Sequence, residues 1–177
     1  MRQSCSSMRK LRLSLAALAL CGGVSSIGVA QTNVNVTGKL TAGTCQWGVG
    51  GSDHAVTLDP VYVSQLKQGQ VTGLKMFSLS LTNCSTGMVS ATFTFSGTSD
   101  TTDKLRYRNS GTATGVAIEL QSSDGKTIGA DGTDNRRTAT VTGNQVTLPL
   151  QAGYWQVGAR ASGGSVDSGI TFAVQYN

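Results

Sequence analysis

The chain has 177 residues, with fourteen Lys and Arg against nine Asp and Glu, one His, four Cys and 23 Gly. Four of the basic residues, Arg2, Arg9, Lys10 and Arg12, fall before residue 31, so the remainder is close to neutral. In that remainder Arg136-Arg137 is the one adjacent basic pair and no basic stripe is interleaved with aromatics, which argues against nucleic acid as a partner; the pair reads as a solvated loop.

Residues 1–30 run from basic residues through the apolar stretch LSLAALALCGGV to small residues at Gly28 and Ala30, the order of a secretory signal peptide, with cleavage expected after Ala30. The apolar run is short for a bilayer span, which needs about 20 residues. Cys21 follows Leu20 and not the small residue expected of a lipoprotein signal. Cys5 and Cys21 leave with the signal, and Cys45 and Cys84 remain as one pair in an exported protein, where disulfides persist. A structural zinc site is a poor competitor, because two cysteines with no nearby histidine fall short of four ligands.

The first strand expected is NVNVTGKLTAGTC, residues 33–45, with Val34, Val36 and Leu40 on one side and Gly38 where the next apolar side chain belongs. A glycine inside a strand marks close backbone approach more often than stability. After the turn-rich GVGGSD, VYVSQLKQG has modest helical spacing and predicts at most a short turn. FSLSLTNC (Phe77, Leu79, Leu81), ATFTFSG (Ala91, Phe93, Phe95), GVAIEL (Val116, Ile118, Leu120) and NQVTLPLQA (Val146, Leu148, Leu150) then alternate with period two, the mark of strands with one face buried. Stretches rich in Gly, Asp, Asn and Ser separate them and supply turns. The last segment, SGITFAVQYN, alternates Ile170, Phe172, Val174 and Tyr176. A strand this apolar belongs beside another strand, yet no strand follows it, and an exposed apolar edge is normally covered. Many short strands separated by turns predict one immunoglobulin-like β-sandwich, without the antibody arrangement, since Trp47 lies close to Cys45 and not midway to Cys84.

Residue types that suggest chemistry have plainer readings. His54 caps a loop and has no placed acid-base partner. Asp131 and Asp134 in DGTDN have the flavour of a calcium loop but lack the remaining spaced acids and the distal Glu. Gly48, Gly50 and Gly51 are followed by no Lys-Ser or Lys-Thr of a phosphate loop. Asn35 begins an Asn-Val-Thr sequon, but a sugar there would obstruct the strand. No catalytic motif, metal site or cofactor is expected. The rival to a structural role is a secreted carbohydrate-binding or adhesive sandwich with Trp47, Tyr154 and Trp155 as a stacking platform; Tyr154 and Trp155, as neighbours in a strand, point to opposite faces.

The segment VNVTGKL before the first cysteine, LSLTNC closing on the second, LPLQAGYW and the ending ITFAVQY together resemble the chaperone-usher class of fimbrial subunits, close to the type 1 fimbrial pilins. The resemblance covers the whole of the chain after the signal. It implies an all-β, incomplete immunoglobulin-like sandwich lacking its final strand, organised as a signal peptide (1–30), an N-terminal donor-strand extension (31–42) and a pilin domain (43–177). It further implies donor side chains Val34, Val36 and Leu40, with Gly38 over a shallow part of a neighbour's groove. Gly164, Ile170, Phe172, Val174 and Tyr176 become the acceptor groove, and Cys45 and Cys84 the family's disulfide. The implied partners are other copies or related pilins, a periplasmic chaperone and an outer-membrane usher, and the implied destination is the cell-surface fimbrium, reached through the periplasm.

Overall fold

The computed structural model describes residues 43–48 and 55–177. The expected signal peptide, the expected extension with Val34, Val36, Gly38 and Leu40, and the loop residues Gly50, Gly51 and His54 lie outside the described residues.

Among the described residues eight strands follow in order: β1 (Gln46–Trp47), β2 (Val71–Thr82), β3 (Ser90–Gly97), β4 (Tyr107–Arg108), β5 (Val116–Ser122), β6 (Arg136–Thr140), β7 (Val146–Gln156) and β8 (Ile170–Tyr176). They form two antiparallel sheets, one in the order β1-β2-β7-β5-β4 and one in the order β6-β3-β8. The one helical element described is a 3-10 turn, Val63–Gln65, within the segment expected to hold a short turn.

The alternation read from sequence fills the space between the sheets. Leu79, Leu81, Phe93, Phe95, Leu120, Leu148 and Leu150 are buried in a single cluster. In register, Phe77 faces Leu150, Leu79 faces Leu148 and Leu81 faces Val146, so these three apolar side chains on β2 each meet one on β7. Cys45 and Cys84 form a disulfide across a separation of 39 residues, joining the chain before β1 to the end of β2. Closing a loop of that length restrains the unfolded chain by roughly 4 kcal/mol on the entropic account.

The structure corrects the reading of two strands. β7 runs four residues beyond the NQVTLPLQA stretch, and Gly153 lets β2 come close there: a Cβ on it would lie 2.8 Å from Val71 Cγ2 and 3.0 Å from the Thr72 carbonyl oxygen. This approach sits beside the register shift between Thr72 and Lys75, where Gly73 has a φ of 64°, a conformation that glycine adopts without penalty. Arg136-Arg137, expected in a solvated loop, opens β6; Arg137 pairs with buried Phe93 and its side chain is largely enclosed. The sequence hides this strand because Ala139 is the one apolar residue in it.

β5 is buried on both faces. Ile118 and Leu120 point into the core, while Ala117, Glu119 and Gln121 face outward into a polar layer. Glu119 is fully buried and forms an ion pair with Arg106 (Nε to Oε2, 2.6 Å). Its Oε1 accepts hydrogen bonds from Gln121 Nε2 at 2.9 Å and Thr127 Oγ1 at 2.7 Å. The Arg106 guanidinium also stacks over the Trp155 ring, 3.7 Å from its centroid, a cation-π contact. Removing one partner of a buried pair strands the other charge, at about 3–5 kcal/mol, whereas an apolar pair of similar volume is close to neutral. Glu119→Ala is therefore expected to lower stability by about 3–5 kcal/mol in urea titrations, and the double change Glu119→Leu with Arg106→Met to recover most of that loss.

Tyr107 carries a second buried polar group. Its side chain is fully buried and its hydroxyl has no hydrogen-bond partner. Burial, with the nearby Glu119 charge, pushes its pKa up to about 12 from the usual 10. The folded state thus holds the phenol proton more tightly than the unfolded state does, so this contribution is intact below pH 10 and declines as pH rises towards 12. Tyr107→Phe is expected to remove this alkaline decline. At neutral pH it should leave stability unchanged or raise it by about 1–3 kcal/mol, since a buried unpaired hydroxyl is lost. Thermal unfolding at pH 7 and pH 11 measures both effects.

Candidate functional site

The second sheet has two edges, and they differ. At β8, Ser90 and Asn177 exchange both backbone hydrogen bonds (Asn177 N to Ser90 O, 3.0 Å; Ser90 N to Asn177 O, 3.1 Å). That fixes the phase of the ladder without a register shift as far as Gly97 and Ile170. In an antiparallel pair, bonded and non-bonded residue pairs alternate, so Thr171, Ala173 and Gln175 bond to β3. Ile170, Phe172, Val174 and Tyr176 aim their N–H and C=O groups at the other side, where among the described residues β8 has no strand neighbour. The same four side chains are half-buried and packed against the core, while Thr171, Ala173 and Gln175 are exposed.

A cavity of about 660 Å³ opens beside this edge, between β8 and the segment 55–58, which belongs to no strand. Ile170 and Phe172 line one wall, Val56 and Leu58 the other, and Leu79 and Phe95 lie at its floor. Core side chains therefore line a gap on this side of the sandwich. Phe172 is the hub: Trp47 meets it edge-on with ring centroids 5.4 Å apart, and Phe95 and Phe93 are tilted against it at 5.8 and 6.2 Å. Tyr154 lines the cavity, its hydroxyl donates to the Asp59 carbonyl at 3.3 Å, and burial raises its pKa. Lys75 and Asp59 form an exposed ion pair at 3.0 Å near the same end.

Of the residues expected in a groove, Ile170, Phe172, Val174 and Tyr176 share one face of β8, with the first two at the cavity wall. Gly164 lies elsewhere, lining a smaller cavity of about 280 Å³. A Cβ on it would come 2.5 Å from the Ala113 nitrogen, so a glycine is needed where the chain entering β8 passes the backbone at residues 112–113. Ser165 then binds there through its carbonyl, which accepts from Ala113 N at 3.0 Å, and through its amide, which donates to Thr112 Oγ1 at 2.9 Å. Sequence reasoning missed the opposite wall, Val56 and Leu58, although their alternation with Ala55 and Thr57 carried the period-two signal.

The three aromatics of the carbohydrate-platform reading share no surface. Trp47 packs inward on Phe172, Tyr154 faces the cavity, and Trp155 lies under Arg106 on the outer face of the first sheet. Asp131 acts as a turn residue, its carboxylate accepting from Thr133 N at 2.8 Å. Among the described residues no group of His, Cys, Asp and Glu is gathered to hold a metal ion, and no helix is long and apolar enough to cross a membrane.

Among the described residues the sandwich thus has an unpaired apolar edge at β8 beside an opening lined by core residues. The family described as fimbrial protein matches residues 34–177. Among curated proteins, the fimbrial subunit ElfA of Escherichia coli K12 is 32% identical over 96% of this chain and 99% of its own length. FimG of the same strain is 30% identical over 86% and 89%. Among solved structures, the P pilus rod subunit PapA superposes with a TM-score of 0.62 at 21% identity, covering 75% of this chain and 99% of that one, a likeness of fold. The chain belongs to the fimbrial protein family, of the chaperone-usher, type 1 pilin kind. It is a structural subunit of a fimbrium, exported to the cell surface, and its partners include other pilin subunits.

The site makes a contrast that can be measured in the isolated protein. Phe172→Ala removes the ring on which Trp47, Phe93 and Phe95 converge and is expected to lower stability by about 3 kcal/mol, the lower end for loss of a buried Phe. Thr171→Val, on the exposed face of the same strand, should stay within about 0.5 kcal/mol. Urea midpoints of the two variants give the comparison.

Proposed function

We propose that the chain polymerises head-to-tail by donor-strand exchange, the extension of one copy lying along β8 of the next. The observation that supports this most directly is the double character of Ile170, Phe172, Val174 and Tyr176, which offer sideways backbone groups that no strand among the described residues meets and turn apolar side chains inward, beside a gap of about 660 Å³. An added strand satisfies both: main-chain bonds give affinity and alternate side chains give register.

In this reading residues 1–30 are the signal peptide, 31–42 the donor extension and 43–177 the acceptor domain. Val34, Val36 and Leu40 enter the groove, and Gly38 crosses it where a side chain has no room. Burying two valines and a leucine contributes on the order of 5–8 kcal/mol at about 1.5–3 each, with the completed backbone ladder in addition. Gly164 acts at one remove, by letting the chain pass residues 112–113 on its way into β8. Before assembly the edge is covered by a periplasmic chaperone and handed on at an outer-membrane usher, since an apolar edge left open invites aggregation. The fibre supports adhesion as a scaffold, and the chain carries out no catalysis.

The test is the assembly state of the purified mature chain, by size-exclusion chromatography with light scattering, for wild type and for a deletion of residues 31–42. Wild type is expected to form heat-resistant polymers and the deletion to stop elongation. Two equally stable monomers would overturn the reading.

A further inference from the structure

The far edge of the same sheet is closed, and by one side chain. The bonds from Phe95 N to Asn135 O (2.9 Å) and from Val141 N to Val89 O (2.9 Å) set the phase of β6 on β3. Arg136, Thr138 and Thr140 therefore aim their backbone groups at the free side. Thr138 faces outward, its hydroxyl 2.9 Å from that of Thr92. Arg137 faces inward, opposite Phe93, whose side chain is fully buried.

The guanidinium of Arg137 crosses the mouth of the sandwich to the other sheet. Nε donates to Ser122 Oγ at 2.9 Å. One terminal nitrogen donates to the carbonyls of Asp134 and Arg136, both at 2.7 Å, and the other to those of Lys126 (3.2 Å) and Thr127 (2.9 Å). A guanidinium has five N–H donors, and all five are used. Ser122, Lys126 and Thr127 belong to the hairpin that continues the outer edge of the first sheet: Ser122 N bonds to the Lys126 carbonyl, and Thr127 bridges Gln121. The two sheets are thus tied together at this side by a saturated polar clamp, while at β8 they stand apart over a cavity.

We infer that Arg137 bars strand addition at β6 and so leaves the second sheet a single receptive edge, β8, which keeps growth through this sheet linear. The inference rests on the donor-strand reading of β8. An incoming strand at β6 would find backbone groups but no pocket for its alternate side chains, and pockets are what fix register in strand addition. An inward charge on an edge strand is one of the ways sheets avoid pairing with other chains. At β8 the residues that offer backbone groups turn their side chains inward; at β6 they turn them outward, and the inward place is taken by a charge.

The test uses fibres of the full mature chain and a fluorescent synthetic peptide of residues 31–42, imaged after washing. Wild-type fibres are expected to take label at one end, one peptide per fibre. Arg137→Leu should take label along the fibre, rising towards one peptide per subunit. The double variant Arg136→Val with Thr138→Val, which makes the outward face of β6 apolar but keeps the clamp, should remain end-labelled. Wild-type fibres labelled along their length, Arg137→Leu fibres labelled at one end only, or side labelling of the double variant would each overturn the inference. If Arg137→Leu fails to form fibres alone, it is assembled as a minority with wild-type chain: side labelling in proportion to its fraction supports the inference, and end labelling only overturns it. Wild-type fibres that take no label at either end, or no wild-type fibres at all, would count against donor-strand exchange itself and not against the role of Arg137.

Discussion

Each of Ile170, Phe172, Val174 and Tyr176 presents a backbone N–H and C=O that have no strand neighbour among the described residues, together with an apolar side chain packed on the core, and the first two line an opening in that core. Either alone is common on protein surfaces: edge strands have free backbone groups, and surfaces hold apolar residues. Their coincidence on four alternate residues is uncommon because one added strand would meet both at once. The wall opposite, Val56 and Leu58, has apolar side chains but belongs to no strand, so the gap has the depth for side chains and one ladder edge to align them.

Much of the remaining structure keeps that edge straight and the rest of the sandwich shut. The disulfide brings Trp47 to Phe172 by joining the chain before β1 to the end of β2. The close pass at Gly164, with Ser165 bonded to residues 112–113, sets where the chain enters β8. On the outer face of the first sheet, Glu119, Arg106, Gln121, Thr127 and Trp155 form a polar layer that covers β5. That layer is a costly way to cover a strand, since each buried charge must be met. It holds the hairpin of Thr127 in place, and this hairpin supplies three of the acceptors of Arg137.

The elements that sequence alone made legible are those in which one face is apolar and one polar without interruption. β3 and β8 alternate cleanly because their outward faces are Ser, Thr, Ala and Gln and their inward faces apolar, so period and fold agree. β6 fails that test because its inward position opposite Phe93 is Arg137, whose burial depends on carbonyls contributed by residues 126 and 127 on the other sheet. In β7 Gly153 breaks the apolar alternation of the sequence, though the strand runs on through it, and this glycine is present for a close approach from β2. Glu119 looks like a solvent-facing residue in an alternating strand, and the layer that buries it comes from two distant segments. Polar side chains placed by tertiary contacts leave no periodic trace, and so the apolar face of β8 is legible in the sequence while the arginine-filled face of β6 is not.

The asymmetry of the two edges has a consequence for assembly that does not depend on the strength of either contact. A head-to-tail interface between different patches propagates as an open filament, but only if each subunit offers one acceptor. With two acceptors and one donor, strands of different fibres could add to the same subunit, and the product would branch or sheet. Affinity at β8 is raised by every apolar side chain that fits the gap, and the same side chains would raise affinity at any other edge with room for them. Linear growth with a strong apolar donor therefore requires something at the second edge that rejects apolar side chains. On the donor-strand reading, the guanidinium of Arg137 would do this at small expense to stability, since all five of its donors are met. Replacing it by an apolar residue would leave four backbone carbonyls without that partner and open the inward position to an apolar neighbour.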